Sequence, residues 1–105
     1  MSTFLVRGSS HYNPDGVKRQ TLVKMLEVGN VLALVREPHN TEDPQAVAVH
    51  SDQGMIGYVP KKLAKLMAKE MDEGLRLAAR VTDISEPSKM YGVITVEVEL
   101  IEYAD

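Results

Sequence analysis

The chain has 105 residues, of which 44% are hydrophobic and 26% are charged, so we expect one compact globular domain spanning residues 1–105. It contains no cysteine, which excludes disulfides and thiolate zinc sites and favours a reducing, cytoplasmic compartment, and no apolar run is long enough to cross a membrane. The net charge of -3 disfavours nucleic acid, but residues 1–69 hold nine Lys/Arg and six Asp/Glu, a balance of +3, which permits a local basic surface.

The first thirty residues predict a strand, a turn and a short helix. Apolar and branched residues alternate over Thr3–Arg7 and predict a strand that ends at Gly8. Asn13–Gly16 has the sequence Asn-Pro-Asp-Gly, which favours a turn. After it, apolar and branched residues recur at helical spacing up to Gly29 and indicate one short amphipathic helix. These residues are Val17, Thr21, Leu22, Met25 and Leu26.

The middle of the chain predicts three strands and then a helix. Val31–Val35 and Ala46–Val49 are apolar runs of strand length on either side of a polar loop, and Met55–Val59 forms a third. The hydrophobic period then changes, which predicts a helix over Pro60–Glu73 with Pro60 at its first position and Gly74 after its end. We expect one apolar face on this helix, formed by Leu63, Leu66, Met67 and Met71.

Two long strands are predicted to close the chain, at Leu75–Ile84 and Val93–Glu102. In the second, alternate residues are apolar and acidic, which is typical of a strand with one buried face. Val96, Val98 and Leu100 are expected inward, and Glu97, Glu99 and Glu102 outward. The predicted fold is therefore mainly β, a barrel-like domain of the SH3 or OB kind, with about six strands and one or two helices.

Polar and turn residues stand at fixed offsets over Arg36–Val49 and Gly54–Pro60. The pattern is E-P-x-N-x-x-D-x-x-A-V-x-V followed by G-x-I-G-Y-V-P. It resembles the HIRAN domain family, and the resemblance extends from Phe4 to the final strand. It implies a small β-barrel-like module that occurs alone or attached to Snf-type DNA-dependent ATPases. Some members bind single-stranded DNA at its 3′ end, which makes single-stranded DNA, or a DNA-processing protein in DNA repair, the expected partner.

Asn40 and Asp43 are the first candidate binding residues. Together they offer a carbonyl, an amide donor and a carboxylate within one short loop between Pro38 and Pro44. Residues of this type often do no more than bond to the backbone of their own turn. The resemblance implies instead that Asp43 accepts a hydrogen bond from a sugar hydroxyl and that Asn40 contacts the adjacent sugar or phosphate.

Three further candidates contain aromatic rings. Tyr58 follows Gly57 at a strand end, where glycine often marks a close approach of two backbones, and an exposed ring there could stack on a base. His11 and Tyr12, in the first loop, could form the other side of a nucleotide slot. A half-buried strand tyrosine and two plain surface residues are the alternatives.

The helix after Pro60 has lysines at positions 61, 62, 65 and 69. Lysines at a helix N-terminus oppose the macrodipole, an effect that a bound phosphate would reverse, although for the stripe as a whole a solvated face is the better explanation. The resemblance implies a phosphate contact for Lys61 in particular.

Two departures from the DNA-binding members of the family favour a second hypothesis. Glu42 stands where those members have an aromatic residue, and the first loop has Ser9-Ser10-His11-Tyr12 in place of an arginine and paired tyrosines. A protein-interaction or oligomerisation module is therefore the alternative to a nucleic-acid-binding one. No phosphate loop, metal-ligand spacing or nucleophile motif is present, so we expect no enzyme activity, no metal and no cofactor.

Overall fold

The computed structural model describes residues 2–86 and 92–103, which form six strands and two helices. The strands are β1 (Thr3–Leu5), β2 (Val31–Arg36), β3 (Val47–Ser51), β4 (Gly54–Tyr58), β5 (Leu77–Ser85) and β6 (Thr95–Glu102). The helices are α1 (Arg19–Val23) and α2 (Lys61–Asp72). The predicted mainly β, barrel-like fold is confirmed. Within the described ranges no helix has the length and apolar character needed to cross a membrane.

All six strands belong to one antiparallel sheet in the order β1-β6-β5-β2-β3-β4. The sheet curls into a half-barrel, and its two edge strands approach where Arg7 pairs with Tyr58. Each backbone N–H of this pair donates to the carbonyl of the other at 2.8 Å. The approach depends on Gly57, since a Cβ there would overlap the carbonyl oxygen of Arg7 and lie 2.6 Å from Cγ1 of Val6. The predicted close approach at Gly57 is confirmed.

The core lies between the concave face of the sheet and α2. Alternate residues of the strands point into it, as expected for a sheet with one buried face. The helix adds Ala64, Met67 and Ala68, all at most 2% exposed. The largest strand side chains that are less than 2% exposed are Leu32, Val47, Val49, Ile56, Val81, Val96 and Val98. Burial of this apolar surface is the main stabilisation of the fold.

The helix after Pro60 differs from the prediction in two details. Pro60 is the N-cap, with ψ at 138°, and the first helical residue is Lys61. Leu66, expected on the buried face, is 64% exposed. At about 100° per residue, Leu66 lies about 160° from both Ala64 and Ala68, so the face that packs Ala64, Met67 and Ala68 into the core leaves Leu66 in solvent. At the other end, Gly74 (φ +103°) follows the helix as predicted.

The first helix is shorter than predicted, with five residues from Arg19 to Val23. Val17, Thr21 and Met25, expected on its apolar face, are exposed. Both flanks of the helix are used in backbone pairing instead. Before it, the N–H of Asn13 donates to the carbonyl of Val17, and after it the N–H of Gly29 donates to the carbonyl of Val81 at 2.8 Å in both cases. The carbonyl of Val17 and the N–H of Gly29 are thus used outside the helix.

Candidate nucleic-acid interface

The loop between β2 and β3, residues 37–46, is held by the side chains of Asn40 and Asp43. Oδ1 of Asn40 accepts hydrogen bonds from the backbone N–H groups of Glu42 at 2.9 Å and Asp43 at 3.1 Å. Oδ1 of Asp43 accepts one from the N–H of Gln45 at 2.9 Å. Both residues therefore bond to the turn itself. This use leaves the second carboxylate oxygen of Asp43 and one N–H of the Asn40 amide for another partner.

Arg36, at the end of β2, fastens this loop to α2. Its guanidinium donates to the carbonyl oxygens of Ala46 at 2.8 Å and Pro44 at 3.1 Å. It also pairs with both carboxylate oxygens of Asp72 in α2, at 2.9 and 3.1 Å. The hydrogen bond from Arg36 lowers the pKa of Asp72 below its ordinary value. The loop thus has a defined position relative to the helix before any ligand binds.

Tyr58 ends β4 and is half-buried. Its hydroxyl donates a hydrogen bond of 2.8 Å to Oε1 of Glu37, and the guanidinium of Arg19 lies 5.6 Å from the centre of its ring. Burial raises the pKa of Tyr58, and the hydrogen bond to the Glu37 carboxylate raises it further. The ring is therefore neutral at physiological pH and is fixed from two sides.

Arg19 is itself only 8% exposed although it belongs to the short helix α1. Its guanidinium donates to Oδ1 of Asn13 at 2.8 Å and to the carbonyl of Gly8 at 2.9 Å. Nδ2 of Asn13 donates in turn to the carbonyl of Met55 in β4 at 2.8 Å. These bonds satisfy the buried charge and connect the first loop to the strand that ends in Tyr58.

An open cleft of about 560 Å³, hereafter the motif cleft, lies between the 37–46 loop and the start of α2. Four of the six predicted site residues line it: Asn40, Asp43, Tyr58 and Lys61. The other lining residues are Arg7, Glu42, Ala46, Val59, Pro60 and Lys62. The structure therefore brings together the polar loop, the tyrosine and the first lysine, as the motif predicts.

The motif cleft has mixed charge with a basic excess. Three cations line it, Arg7, Lys61 and Lys62, against two carboxylates, Glu42 and Asp43, a formal balance of +1. The cations are solvent-exposed. Pro60 provides no side-chain cap to α2, and the first turn has no acidic residue. The cleft therefore offers exposed positive charge beside the positive end of a helix dipole, a combination that favours an anion.

A second cleft, of about 530 Å³, lies on the other side of Tyr58. Tyr58 lines both clefts, whereas Arg19 and Glu37 line the second cleft only. Asn13 and Met55 also contribute to it. The tyrosine thus forms the ridge between the two clefts, and Arg19 covers the ring from the side of the second.

His11 and Tyr12 are placed elsewhere. Both are exposed, and neither lines the motif cleft or the second cleft. Tyr12 pairs with Lys18, whose Nζ lies 5.7 Å from the centre of its ring. The structure does not place these two residues with Tyr58 in either cleft, and their role as the other side of a nucleotide slot stays a prediction.

Sequence reasoning did not select Arg7, Arg19 or Glu37 as site residues. Arg7 reaches the motif cleft through its backbone pairing with Tyr58, and Arg19 reaches the ring through the first loop. Neither contact has a local signal in the sequence. Glu37 did have a local signal, since it precedes Pro38 at the start of the motif loop and is three residues from Asn40. In the structure, Nδ2 of Asn40 donates to Glu37 at 3.0 Å.

The fold and the cleft together define a small β-barrel-like domain with an open cleft lined by cations, carboxylates and a tyrosine. The chain belongs to the HIRAN domain family, whose model matches residues 2–100.

Two curated plant proteins are similar in sequence. One is a Fanconi-associated nuclease 1 homolog from Arabidopsis thaliana, 32% identical over 76 residues that cover 70% of this chain and 8% of the relative. The other is a Fanconi-associated nuclease 1 homolog from Oryza sativa subsp. japonica, 26% identical over 84 residues that cover 76% of this chain and 9% of the relative. The chain thus spans less than a tenth of the length of either protein.

Two crystal structures have a similar fold. A protein from Lactobacillus plantarum superposes with a TM-score of 0.73 and 25% identity, covering 98% of this chain and 94% of that one. The HIRAN domain of human HLTF superposes with a TM-score of 0.70 and 20% identity, covering 96% of this chain and 73% of that one.

Proposed function

We propose that this domain is a non-catalytic binding module that holds single-stranded nucleic acid, with the free 3′ end of a DNA strand in the motif cleft. The observation that supports this most is the convergence of three exposed cations and the uncapped start of α2 on a cleft that also contains Tyr58, Asn40 and Asp43. The site therefore contains groups that can bind the phosphate, the base and the sugar of one nucleotide.

Each group has a separate role in the proposal. Lys61 and Arg7 supply charge to the phosphate, and the ring of Tyr58 supplies a stacking surface. The second carboxylate oxygen of Asp43 accepts a hydrogen bond from the 3′-hydroxyl. Asn40 donates its remaining amide N–H to the same nucleotide while its oxygen holds the backbone of the loop.

The relatives support a setting in DNA metabolism. Two of them are named as nuclease homologs, and the matching region is a small part of each. We infer that this domain likewise delivers or positions a DNA-processing protein at a strand end, in a reducing, cytoplasmic compartment.

Two observations favour a protein-interaction module instead. Glu42 is exposed and lines the motif cleft, where a carboxylate repels phosphate. On the outer face of the sheet, Val31 and Tyr103 are 60% and 48% exposed beside a shallow depression of about 510 Å³. A protein partner would cover such an apolar surface.

The test is the affinity for oligonucleotides that differ only at the 3′ end. A 3′-hydroxyl can donate to Asp43, whereas a dideoxy end cannot and a 3′-phosphate adds a like charge. We expect the 3′-hydroxyl form to bind more tightly than the other two by about 1–3 kcal/mol. Asp43→Ala should remove most of this preference and retain most of the backbone affinity, and changes at the 5′ end should have no effect. Equal affinity for the three ends would refute 3′-end recognition, and no binding at low salt would favour the protein-interaction module.

A further inference from the structure

The exposed side of α2 has a continuous basic surface, hereafter the lysine face, formed by Lys61, Lys62, Lys65 and Lys69. All four side chains are exposed. At about 100° per residue they fall within an arc of about 100°. Ala64, Met67 and Ala68 occupy a separate arc of the helix, centred about 120° away, within the core. The burial of α2 therefore turns every one of its lysines toward solvent.

These lysines have no ionic partner among the residues that the structure describes. The ion pairs Arg36–Asp72 and Arg80–Glu99 include none of these lysines. Asp72 is the acidic residue that projects from the same side of α2, and its charge is already paired with Arg36 at 2.9 Å. The lysine face therefore keeps its positive charge, although the chain as a whole is acidic.

The lysine face begins inside the motif cleft and leads away from it. Lys61 and Lys62 line the cleft, and Lys65 and Lys69 do not. With a rise of about 1.5 Å per residue, Lys65 and Lys69 are about 6 and 12 Å further along the helix axis than Lys61. Steps of this size are close to the separation of successive phosphates on an extended strand, so one lysine can meet each phosphate.

We propose that the lysine face is a track for the phosphate backbone, along which a strand continues after its end enters the motif cleft. Lys65 and Lys69 contact the phosphates that follow the terminal nucleotide. This inference rests on the proposed function and extends it, because it assigns the domain a binding site of several nucleotides with a defined direction along α2.

The experiment compares single-stranded oligonucleotides of about 3 and about 12 nucleotides, each with a free 3′-hydroxyl, by competition anisotropy at several salt concentrations. The test variant is the double change Lys65→Gln/Lys69→Gln, and each of the two single changes is also made. Lys24→Gln removes one exposed lysine from another surface and is the matched control for each single change. Lys24 is exposed and lines neither the motif cleft nor the second cleft. None of the three lysines packs into the core.

For the wild-type protein we expect the longer oligonucleotide to have a log–log salt slope steeper by about 1.4, two contacts at about 0.7 each. Between 50 and 200 mM salt this corresponds to an additional affinity loss of about sevenfold. The double variant should bind the short oligonucleotide with the affinity of the wild type, and its affinity and salt slope should not increase for the longer one. Lys24→Gln should have the affinity and salt slope of the wild type at both lengths.

The outcomes separate the two proposals. The track is refuted if the salt slope of the double variant increases with oligonucleotide length as much as that of the wild type, or if the wild-type slope does not increase at all. Binding of the strand end is unaffected by either result. If the short oligonucleotide binds without preference for its 3′ end while Lys65 and Lys69 still determine the length dependence, the track stands and 3′-end recognition fails. Absence of binding at either length refutes both.

Discussion

The hydroxyl of Tyr58 donates a hydrogen bond of 2.8 Å to Oε1 of Glu37, and the same oxygen accepts a hydrogen bond of 3.0 Å from Nδ2 of Asn40. Asn40 in turn accepts from the backbone N–H of Asp43. One carboxylate oxygen therefore joins the proposed stacking residue to the loop that contains the proposed 3′-hydroxyl acceptor. Substitutions at Tyr58 and Glu37 are expected to separate the roles of the Tyr58 ring, the Tyr58 hydroxyl and the Glu37 charge.

Tyr58→Phe should affect stability more than binding, because it removes the hydroxyl and keeps the ring. We expect the free energy of unfolding to fall by about 0.5–1.5 kcal/mol, the usual contribution of one hydrogen bond. Tyr58→Ala should in addition weaken oligonucleotide binding by about 1–3 kcal/mol, because a base loses its stacking surface. Urea denaturation and anisotropy measure the two effects. An equal loss of affinity in both variants would show that the ring is not the stacking surface.

The alkaline stability of the protein should depend on Glu37. Burial and the Glu37 carboxylate raise the pKa of Tyr58 above its ordinary value of 10.0, against a lowering effect of Arg19. The folded protein thus holds this proton more tightly than the unfolded chain. The corresponding stabilisation is fully present below about pH 10 and is lost as the pH rises through the raised pKa.

Glu37→Gln removes the carboxylate, so the pKa of Tyr58 should fall. The rise in this pKa that burial causes should remain. Ultraviolet difference titration follows the phenol, and Tyr58→Phe identifies which signal belongs to this residue. An unchanged alkaline midpoint in Glu37→Gln would mean that the carboxylate does not control the tyrosine.

Lys61→Gln should weaken oligonucleotide binding and reduce the log–log salt slope by about 0.7, the value for one lost phosphate contact on a single strand. Lys61 lines the motif cleft at the start of α2, where its charge is exposed. Lys24→Gln removes one positive charge from another surface and should leave the slope unchanged. Salt titrations of the three proteins test this, and parallel slopes for wild type and Lys61→Gln would exclude the phosphate contact.

Glu42→Gln should tighten nucleic-acid binding by about 0.2–1 kcal/mol at low salt, because an exposed carboxylate of the motif cleft no longer repels phosphate. Glu42→Tyr should tighten it further, since it also adds a stacking surface. Asp52→Asn, which removes an exposed charge outside the cleft, is the matched control. If Glu42→Gln and Asp52→Asn have the same effect, the 37–46 loop does not face the nucleotide.

Gly57→Ala should destabilise the fold by about 1–3 kcal/mol through overpacking, because its Cβ would overlap the backbone that closes the half-barrel at Arg7. Gly74→Ala is the matched control, since Gly74 also has a positive φ but its Cβ would meet nothing within 4 Å. In chemical denaturation, the free energy of unfolding of Gly57→Ala should therefore be well below that of Gly74→Ala. Equal losses would mean that backbone conformation alone, and not the contact with Arg7, determines the cost.

Local pattern was sufficient to predict most of the elements and the outline of the site. Alternation of apolar residues indicated the strands, and the change of period at Pro60 indicated α2, because both signals depend on neighbours in the sequence. The motif loop was predictable for the same reason. Asn40 and Asp43 bond to backbone groups two or three residues away. Such contacts involve residues that are close in the sequence, so the local pattern indicates them.

The tertiary structure decided which residues surround that loop. Arg7 and Tyr58 are far apart in the sequence and meet because the sheet curls until its edges approach. Arg19 reaches Tyr58, and Arg36 reaches Asp72, across similar separations. Likewise, the sequence pattern predicted both Leu66 and Met67 on the buried face of α2, whereas the packing of the helix on the sheet buries Met67 and exposes Leu66. The physical reason is that sequence periodicity specifies the direction of a side chain relative to its own element, whereas its partners depend on how the elements pack.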